Sequence, residues 1–437
     1  MVAHIFSEGP IGKLSPQPWL IAPETKIIIS ALTSEGAEIR FVGGCVRDSF
    51  SKESAFKNLD IDIDIATPET PETIARLLKS AGIKVYKTGI KYGTVSAHIK
   101  DMKFEITTLR RDIKAYGRHP NVVFTNDWIT DAKRRDFTFN AMSVSPEGDV
   151  YDIFDGISDL SYGRVRFIGI AEERLNEDIL RILRFFRFFG LYGKSPADTE
   201  ALMACKKYSK ELSNLPGERI WNEMSKILLT PKPGEIAELM SNAGIFEYIL
   251  PEARNIKRIS MLGWLETRIY NKLTIKPDAL RRLAALIVTN DKGAENLSKR
   301  WRLSNQNSLR LVKMAAPKLD INLNINDIDL NRALHKFGSK MISDLALLAW
   351  SEELTNTSQQ AKRKSDSWEA ILEKCEIWKD VKFPLNGKDV IALGIEEGPR
   401  VGKILNSVRN LWEKSGFIDG RKVCLKNLKL IVKDHLI

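Results

Sequence analysis

The chain has 437 residues, 43% of them hydrophobic and 28% charged, with a formal net charge of +11 at pH 7. This composition is ordinary for a globular protein of two to four domains, and no apolar run approaches the roughly 20 residues of a membrane span. The positive charge favours a polyanionic partner. The four cysteines lack the spacing of a zinc site or a disulfide framework, which favours a reducing compartment, the cytoplasm.

The first predicted elements are a helix within residues 18–35 and a strand over residues 38–42, which ends at Gly43 and Gly44. Because glycine lacks a Cβ, the backbone N–H groups of this turn can approach a ligand closely. The helix that follows directs its free N–H groups and its positive dipole end to the same place. Arg47 on that helix adds a planar donor suited to phosphate oxygens. The pattern indicates a phosphate-binding turn, and an ordinary strand–helix turn is the alternative.

Carboxylates then alternate with isoleucines, so that Asp60, Asp62 and Asp64 share one face of a predicted strand. Carboxylates about 7 Å apart on one face repel each other. A divalent cation removes this repulsion, and Mg²⁺ prefers such oxygen ligands. An amphipathic strand with one solvated face is the alternative. A phosphate-binding turn beside a magnesium site indicates nucleotidyl or phosphoryl transfer.

A helix ending at about residue 80 is followed by predicted strands within residues 84–99 and 103–110. The last two strands form a hairpin across residues 100–102. Glu105 becomes a candidate third carboxylate if its strand lies beside that of Asp62 and Asp64; a surface glutamate is the alternative. Residues 111–121 are rich in charge and turn formers, which predicts a mobile loop.

Four motifs together resemble the head of the class II tRNA nucleotidyltransferases (CCA-adding enzymes), close relatives of the bacterial poly(A) polymerases. They are G-G-C-V-R-D at 43–48, D-I-D-I-A-T at 62–67, E-I-T-T-L-R at 105–110 and R-R-D-F-T-F-N-A at 134–141. The resemblance implies that Asp62 and Asp64 bind Mg²⁺ and are catalytic, with Glu105 completing the set. It also implies that the nucleotide is held by Gly43, Gly44, Arg47 and Arg135. Chemically, Arg134 and Asn140 are further donors, and Asp136 is an acceptor, for its ribose and triphosphate.

A helix is predicted over residues 176–190, with Asn176 as N-cap and Gly190 as stop. An aspartate and an arginine one turn apart, Asp178 and Arg181, fit the amino donor and ring-nitrogen acceptor that cytosine and adenine share. Guanine and uracil present the opposite order, and unpaired groups in a closed site cost roughly 1–3 kcal/mol each. The alternative is an intrahelical ion pair, but the E-D-x-x-R-x-x-R pattern is also similar to the family's. Arg184 and Arg187, at the same spacing of three, are candidates for base support or triphosphate contact.

From residue 196 onward the pattern is helical. Glu218 and Arg219 are expected to brace the helix predicted over residues 176–190, which we call the base-reading helix. A helix, a glycine turn and a second helix are expected over residues 386–405. The predicted fold is an α/β nucleotidyltransferase head (a mixed sheet with flanking helices) followed by an all-α neck, body and tail. The expected divisions are an entry segment at 1–38, the head at 39–170, the neck at 171–245, and a tRNA-binding body and tail at 246–437.

The resemblance implies template-independent, Mg²⁺-dependent addition of C, C and A from CTP and ATP to the 3′ end of tRNA, and no obligate protein partner is indicated. A poly(A) polymerase is the nearest alternative, although those enzymes carry an Arg-Arg-Phe run where this chain has residues 89–94. A CC- or A-adding specialist is a second alternative. The resemblance disfavours a CC-only enzyme, because CC-only members of the family typically lack part of the loop that this chain has at 111–121. A non-catalytic RNA-binding protein is an alternative of another class.

Overall fold

The computed structural model describes residues 9–51, 62–114, 121–269, 273, 275–356, 361–379 and 381–436. Asp60 and residues 115–120 of the predicted loop lie outside these ranges. The chain forms two compact units, one of residues 1–231 and 236–251 and the other of residues 232–235 and 252–437. In the described part of the chain, no helix combines the length and the apolar character that crossing a membrane requires.

Within its described residues, the first unit contains an eight-stranded mixed sheet and a two-stranded ribbon. The strands are β1 (Gly12–Lys13), β2 (Arg40–Val42), β3 (Ile63–Thr67), β4 (Val85–Gly89), β5 (Thr94–Ile99), β6 (Met102–Thr108), β7 (Arg110–Lys114), β8 (Asn121–Phe124), β9 (Ser143–Val144) and β10 (Asp149–Tyr151). The order in the large sheet is β1-β10-β9-β2-β3-β6-β5-β4, and β7 pairs with β8. Strands β3 and β6 run parallel, which places Asp64 opposite Glu105.

Alternation along β3 explains why the carboxylate strand lies at the centre of the sheet. Its isoleucines, Ile63 and Ile65, are fully buried, as are Phe104 and Ile106 on the neighbouring strand β6. Burying such side chains stabilises the fold by roughly 1.5–3 kcal/mol each. The predicted hairpin is confirmed, because Ile99 on β5 pairs with Met102 on β6.

The helices up to residue 250 surround this sheet or follow it in sequence. They are α1 (Pro18–Ile21), α2 (Pro23–Thr33), α3 (Gly44–Phe50), α4 (Pro71–Ser80), α5 (Trp128–Lys133), α6 (Gly156–Tyr162), α7 (Ala171–Glu177), α8 (Arg181–Tyr192), α9 (Thr199–Lys207), α10 (Gly217–Leu228), α11 (Pro233–Asn242) and α12 (Ile245–Ile249). The buried Phe188 of α8 packs against Phe137 and Phe139, with ring centroids 5.3 and 5.5 Å apart. These aromatic contacts fix α8 beside the segment 134–141.

The second unit is helical. Its remaining helices are α13 (Ile256–Ile269), α14 (Ala279–Leu286), α15 (Asp291–Arg300), α16 (Asn305–Ala315), α17 (Asp327–Phe337), α18 (Ser339–Asn356), α19 (Ala361–Ile377), α20 (Gly387–Ile391), α21 (Pro399–Lys414) and α22 (Arg421–Leu436). The expected helix, glycine turn and helix are present as α20 and α21, with Pro399 at the first helical position. The predicted fold class, an α/β head followed by helices, is confirmed.

Three local predictions are wrong. The helix predicted over residues 176–190 is broken, because α7 ends at Glu177 and Asp178 has extended backbone angles, φ −151° and ψ 106°. The carboxylate of Asp178 accepts the Leu180 N–H at 3.2 Å, and such local bonds compete with the helical ladder. The second helix also continues past Gly190 to Tyr192. Residues 111–114 of the predicted loop belong to β7 instead.

Candidate functional site

A cavity of about 590 Å³ opens in the first unit and collects most of the residues that the sequence singled out. Eight arginines and three aspartates are among its lining residues, so its wall is strongly cationic. We call it the arginine pocket. It is lined by Gly43, Gly44, Arg47, Asp64, Arg110, Arg134, Arg135, Asp136, Asn140, Asp178, Leu180, Arg181, Arg184, Arg187, Phe188 and Arg219.

The Gly43-Gly44 turn forms one corner of the arginine pocket. Gly43 has φ +74°, and a Cβ at this position would lie 2.7 Å from Oδ2 of Asp64. Only glycine therefore lets the turn come this close to the carboxylate without strain. The helix α3 begins at Gly44, which directs its first N–H groups into the same region.

Three carboxylates, those of Asp62, Asp64 and Glu105, lie near this corner, and of these three Asp64 alone lines the pocket. Asp64 lies on β3, opposite Glu105 of β6, and Asp62 immediately precedes β3 with a side chain 72% exposed. Lys103 lies between Glu105 and Asp62, with its Nζ 2.6 Å from the first carboxylate and 3.8 Å from the second. Burial, followed by the nearby Glu105 charge, raises the pKa of Asp64 to about 6.

These carboxylates suit a hard divalent cation. Their oxygens are the ligands that Mg²⁺ prefers, and Mg²⁺ is commonly held by one or two carboxylates together with substrate phosphates. Within the described ranges, no group of three or more His, Cys, Asp or Glu is placed to hold a metal ion by itself. The raised pKa of Asp64 reflects burial and like charges, which a bound cation would compensate.

Arg47 is fixed from several sides where it lines the arginine pocket. Its Nε donates to Asp48 at 2.8 Å and to the Tyr192 hydroxyl at 3.0 Å, and its Nη2 donates to Asp48 at 3.1 Å. Its Nη1 donates to Asn140 Oδ1 at 2.9 Å. These contacts hold the guanidinium plane in one orientation at the wall.

The segment 134–141 supplies two further arginines, both anchored on one buried carboxylate. Asp131 is 3% exposed and accepts from Arg134 at 2.8 Å and from Arg135 at 3.1 Å. Burial opposes ionisation of Asp131, but the adjacent Arg135 and Arg134 charges hold its pKa below the usual value. The two arginines are thereby placed at the pocket wall with a common ionic support.

Asp136 also lines the pocket, but its oxygens are already engaged by the protein. It accepts from Arg184 at 2.6 Å, from Asn140 at 2.9 Å and from the Phe137 N–H at 2.9 Å. Although burial favours the neutral acid, Arg184 and these hydrogen bonds lower the pKa of Asp136. The carboxylate therefore organises two other pocket residues, and the expectation that it accepts directly from a nucleotide finds no free oxygen in this geometry.

Asp178 and Arg181 both line the arginine pocket, as the sequence predicts, but they do not pair with each other. Asp178 accepts from Arg219 of α10 at 2.9 Å, while Arg181 donates to Glu177 at 2.7 Å. Arg219 thus braces the start of α8, as predicted. Further along α8, Arg187 forms an ion pair with the buried Glu223 of α10 at 2.9 Å.

Sequence reasoning did not assign four of the pocket residues, Arg110, Leu180, Phe188 and Arg219, to ligand binding. Arg110 ends the quoted motif E-I-T-T-L-R, so its signal was present in the spacing. Tyr192, which touches Arg47 from the end of α8, carried no signal in the sequence. Its role depends on contacts between residues 145 positions apart.

Residues 39–166 match the family described as "Poly A polymerase head domain", and residues 198–257 match "Probable RNA and SrmB- binding site of polymerase A". The chain is 32% identical over 384 residues to "CCA tRNA nucleotidyltransferase 1, mitochondrial" of Danio rerio, which covers 87% of this chain and 84% of the relative. It is 30% identical over 388 residues to the "CCA-adding enzyme" of Streptococcus pneumoniae (strain G54), covering 87% and 90% of the two chains.

The fold is similar to the solved structure of the Bacillus stearothermophilus CCA-adding enzyme in complex with CTP. The TM-score is 0.70 at 23% sequence identity, covering 96% of this chain and 99% of the other.

Proposed function

The chain belongs to the family of CCA tRNA nucleotidyltransferases, and we propose that it adds C, C and A from CTP and ATP to the 3′ end of tRNA without a nucleic-acid template. The observation that carries the proposal is the arginine pocket, which joins a glycine turn, the carboxylate of Asp64 and eight arginines in one cavity. A triphosphate suits such a cationic wall.

Asp62 and Asp64 are the residues that would hold Mg²⁺, and we propose that Glu105, opposite Asp64 on β6, completes the set. Magnesium at this position would lower the pKa of the primer 3′-hydroxyl and neutralise charge on the triphosphate and leaving pyrophosphate. Gly43, Gly44, Arg47 and Arg135 would orient the triphosphate toward these carboxylates. Accurate positioning of this kind contributes much of the catalysis in phosphoryl transfer.

Asp178 and Arg181 are proposed to select the base. Both groups line the pocket, and their present partners, Arg219 and Glu177, keep each charge compensated. Cytosine or adenine would satisfy the carboxylate with its amino group and the guanidinium with its ring nitrogen. Arg184 and Arg187 extend the same cationic wall along α8 and are proposed to support the nucleotide.

The domain divisions 1–38, 39–170, 171–245 and 246–437 are part of the proposal, with the last division binding tRNA. The backbone N–H groups at the start of α21 suit a phosphate of the RNA. We also propose a reducing compartment, the cytoplasm, because the four cysteines are buried free thiols.

The test is incubation of the purified protein with Mg²⁺, CTP and ATP on a tRNA transcript that lacks its CCA end, followed by sequencing of the product 3′ termini. Products that stop at CCA are expected. Products that stop at CC, or that gain only A after a supplied CC, would indicate a specialist, and long A tails would indicate a poly(A) polymerase.

Asp62→Ala should reduce incorporation on the order of 10³-fold, because metal charge stabilisation contributes several kcal/mol. Asp101→Ala removes an exposed carboxylate from the β5–β6 turn and should leave the rate unchanged. A wild-type rate for Asp62→Ala, with an intact fold, would contradict the assignment.

A further inference from the structure

Tyr192 closes a ring of three side chains behind the arginine pocket. Its hydroxyl donates to Oδ1 of Asp48 at 2.6 Å and accepts from Nε of Arg47 at 3.0 Å. Arg47 in turn donates to Asp48 through Nε and Nη2. The ring joins the last residue of α8 to two adjacent residues of α3, so it connects elements that are far apart in sequence.

This hydrogen-bonded ring leaves two N–H donors of the Arg47 guanidinium available to the pocket. A guanidinium carries five N–H donors. The Nε donor is shared by Asp48 and Tyr192, one Nη2 donor goes to Asp48 and one Nη1 donor goes to Asn140. Among the described residues, the other two donors, one on each terminal nitrogen, have no hydrogen-bond partner. Such a pair matches two oxygens of a phosphate.

The aromatic side chain of Tyr192 also limits the movement of Arg47. The Arg47 Cζ lies 4.9 Å from the centroid of the Tyr192 ring and 5.1 Å from that of Phe188, one turn earlier on α8. Removal of the Tyr192 hydroxyl would leave these aromatic contacts in place. It would remove the hydrogen bond from Arg47 Nε that sets the orientation of the guanidinium plane. Tyr192→Phe therefore isolates orientation from packing.

We propose that Tyr192 is a positioning residue that orients Arg47 toward the nucleotide triphosphate and couples it to the base-reading helix α8. This inference rests on the proposed function, because it takes Arg47 as a triphosphate contact. Arg181 starts α8 and Tyr192 ends it. One rigid element thus supports both the group that selects the base and the group that holds the triphosphate.

The experiment measures binding of inorganic pyrophosphate in the presence of Mg²⁺ by titration calorimetry, together with KM for CTP and for ATP. Tyr192→Phe should weaken pyrophosphate binding about fivefold, the effect of one hydrogen bond, and should raise both KM values by the same factor. Preference for CTP and ATP over UTP and GTP should not change. The matched control is Tyr208→Phe, which also loses a hydrogen-bonded hydroxyl, one that contacts Asn176 and Glu172, and it should leave pyrophosphate affinity unchanged.

A merely structural role is separated by a double-mutant cycle. In an Arg47→Ala background, Tyr192→Phe should cause no further loss of pyrophosphate affinity, because its effect is transmitted through Arg47. Equal losses in both backgrounds, or wild-type affinity in Tyr192→Phe, would overturn the inference. If the wild-type protein neither incorporates CTP and ATP nor binds pyrophosphate, the proposed function fails instead.

Discussion

Two arginine-rich regions of this chain use the same residue type in opposite ways. In the arginine pocket of the first unit, eight arginines and three aspartates face an open cavity. In the second unit, three arginines meet three carboxylates in a region that we call the buried charge cluster. Its members are Arg281, Arg282, Arg310, Glu266, Asp278 and Asp344.

The buried charge cluster is internally complete. Glu266 is fully buried and receives Arg281 and Arg282, each at 2.6 Å. Asp344 is 1% exposed and receives Arg281 at 2.9 Å and Arg310 at 2.8 Å. Because its three arginines and three carboxylates are matched to one another, this cluster can fix helices but has no charge to offer a ligand.

The arginine pocket differs in where its carboxylates lie. Asp131 and Glu223 hold their arginines from outside the lining, whereas Asp136 and Asp178 pair with Arg184 and Arg219 within it. Eight arginines against three aspartates leave an excess of cationic groups facing the cavity. The comparison shows that the number of arginines does not identify a binding site. The side on which their counter-charges lie does.

The largest effect expected from this comparison is in the buried charge cluster. Glu266→Ala leaves Arg281 and Arg282 without their shared carboxylate and should lower the free energy of unfolding by about 3–5 kcal/mol. Urea unfolding followed by circular dichroism measures this loss. Glu295→Ala, at an exposed position of α15, is the control and should change little. An unchanged urea midpoint for Glu266→Ala would show that the cluster is not structural.

The next largest effect concerns Gly43, at the corner of the arginine pocket beside Asp64. Gly43→Ala places a Cβ 2.7 Å from Asp64 Oδ2 and should reduce nucleotide incorporation about 10²-fold, because a displaced catalytic group costs roughly this much. Gly36→Ala is the matched control, since Gly36 also has positive φ (+84°) but a Cβ there meets nothing within 4 Å. Similar losses of incorporation in both variants would mean that backbone strain, not contact with Asp64, is responsible.

A smaller effect tests whether the pocket's cationic wall reads the base. Arg181→Ala should reduce preference for CTP and ATP over UTP and GTP about tenfold, with less effect on tRNA binding. Its matched control is Arg174→Ala, because Arg174 pairs with the same Glu177 but does not line the pocket. Competition assays with mixed nucleotides measure the preference. Unchanged selectivity in Arg181→Ala would argue against base reading by this residue.

The sequence predicted what short-range patterns control. The Gly43-Gly44 turn, the alternating strand around Asp64 and the β5–β6 hairpin each follow from residues close together in the chain. Spacing of three predicts that Arg181, Arg184 and Arg187 are neighbours on a helix, and all three line the arginine pocket.

The sequence could not predict which hydrogen-bond partners within the protein the carboxylates of Asp178 and Asp136 would take. Asp178 was expected inside a helix, but its carboxylate bonds the Leu180 N–H and the guanidinium of Arg219, 41 positions away. The oxygens of Asp136 are likewise engaged by Asn140 and Arg184. Periodicity gives the face on which a side chain lies, whereas its partner depends on tertiary packing.

The smallest expected effect concerns acid stability of the buried charge cluster. Burial disfavours the charged form of Asp278, but hydrogen bonds from Arg310 and the Arg281 N–H prevail and lower its pKa below the ordinary 3.8. A carboxyl whose pKa is lower in the folded state contributes stability above 3.8, and loses it as pH falls through the lower, folded value. Asp278→Asn keeps an oxygen for the Arg281 N–H but removes the charge, so it should cost about 1 kcal/mol at neutral pH and flatten the acid limb of the stability curve. Asp291→Asn, which alters an exposed pair with Lys318, should leave that limb unchanged, and an equally steep limb in Asp278→Asn would exclude Asp278 as its source.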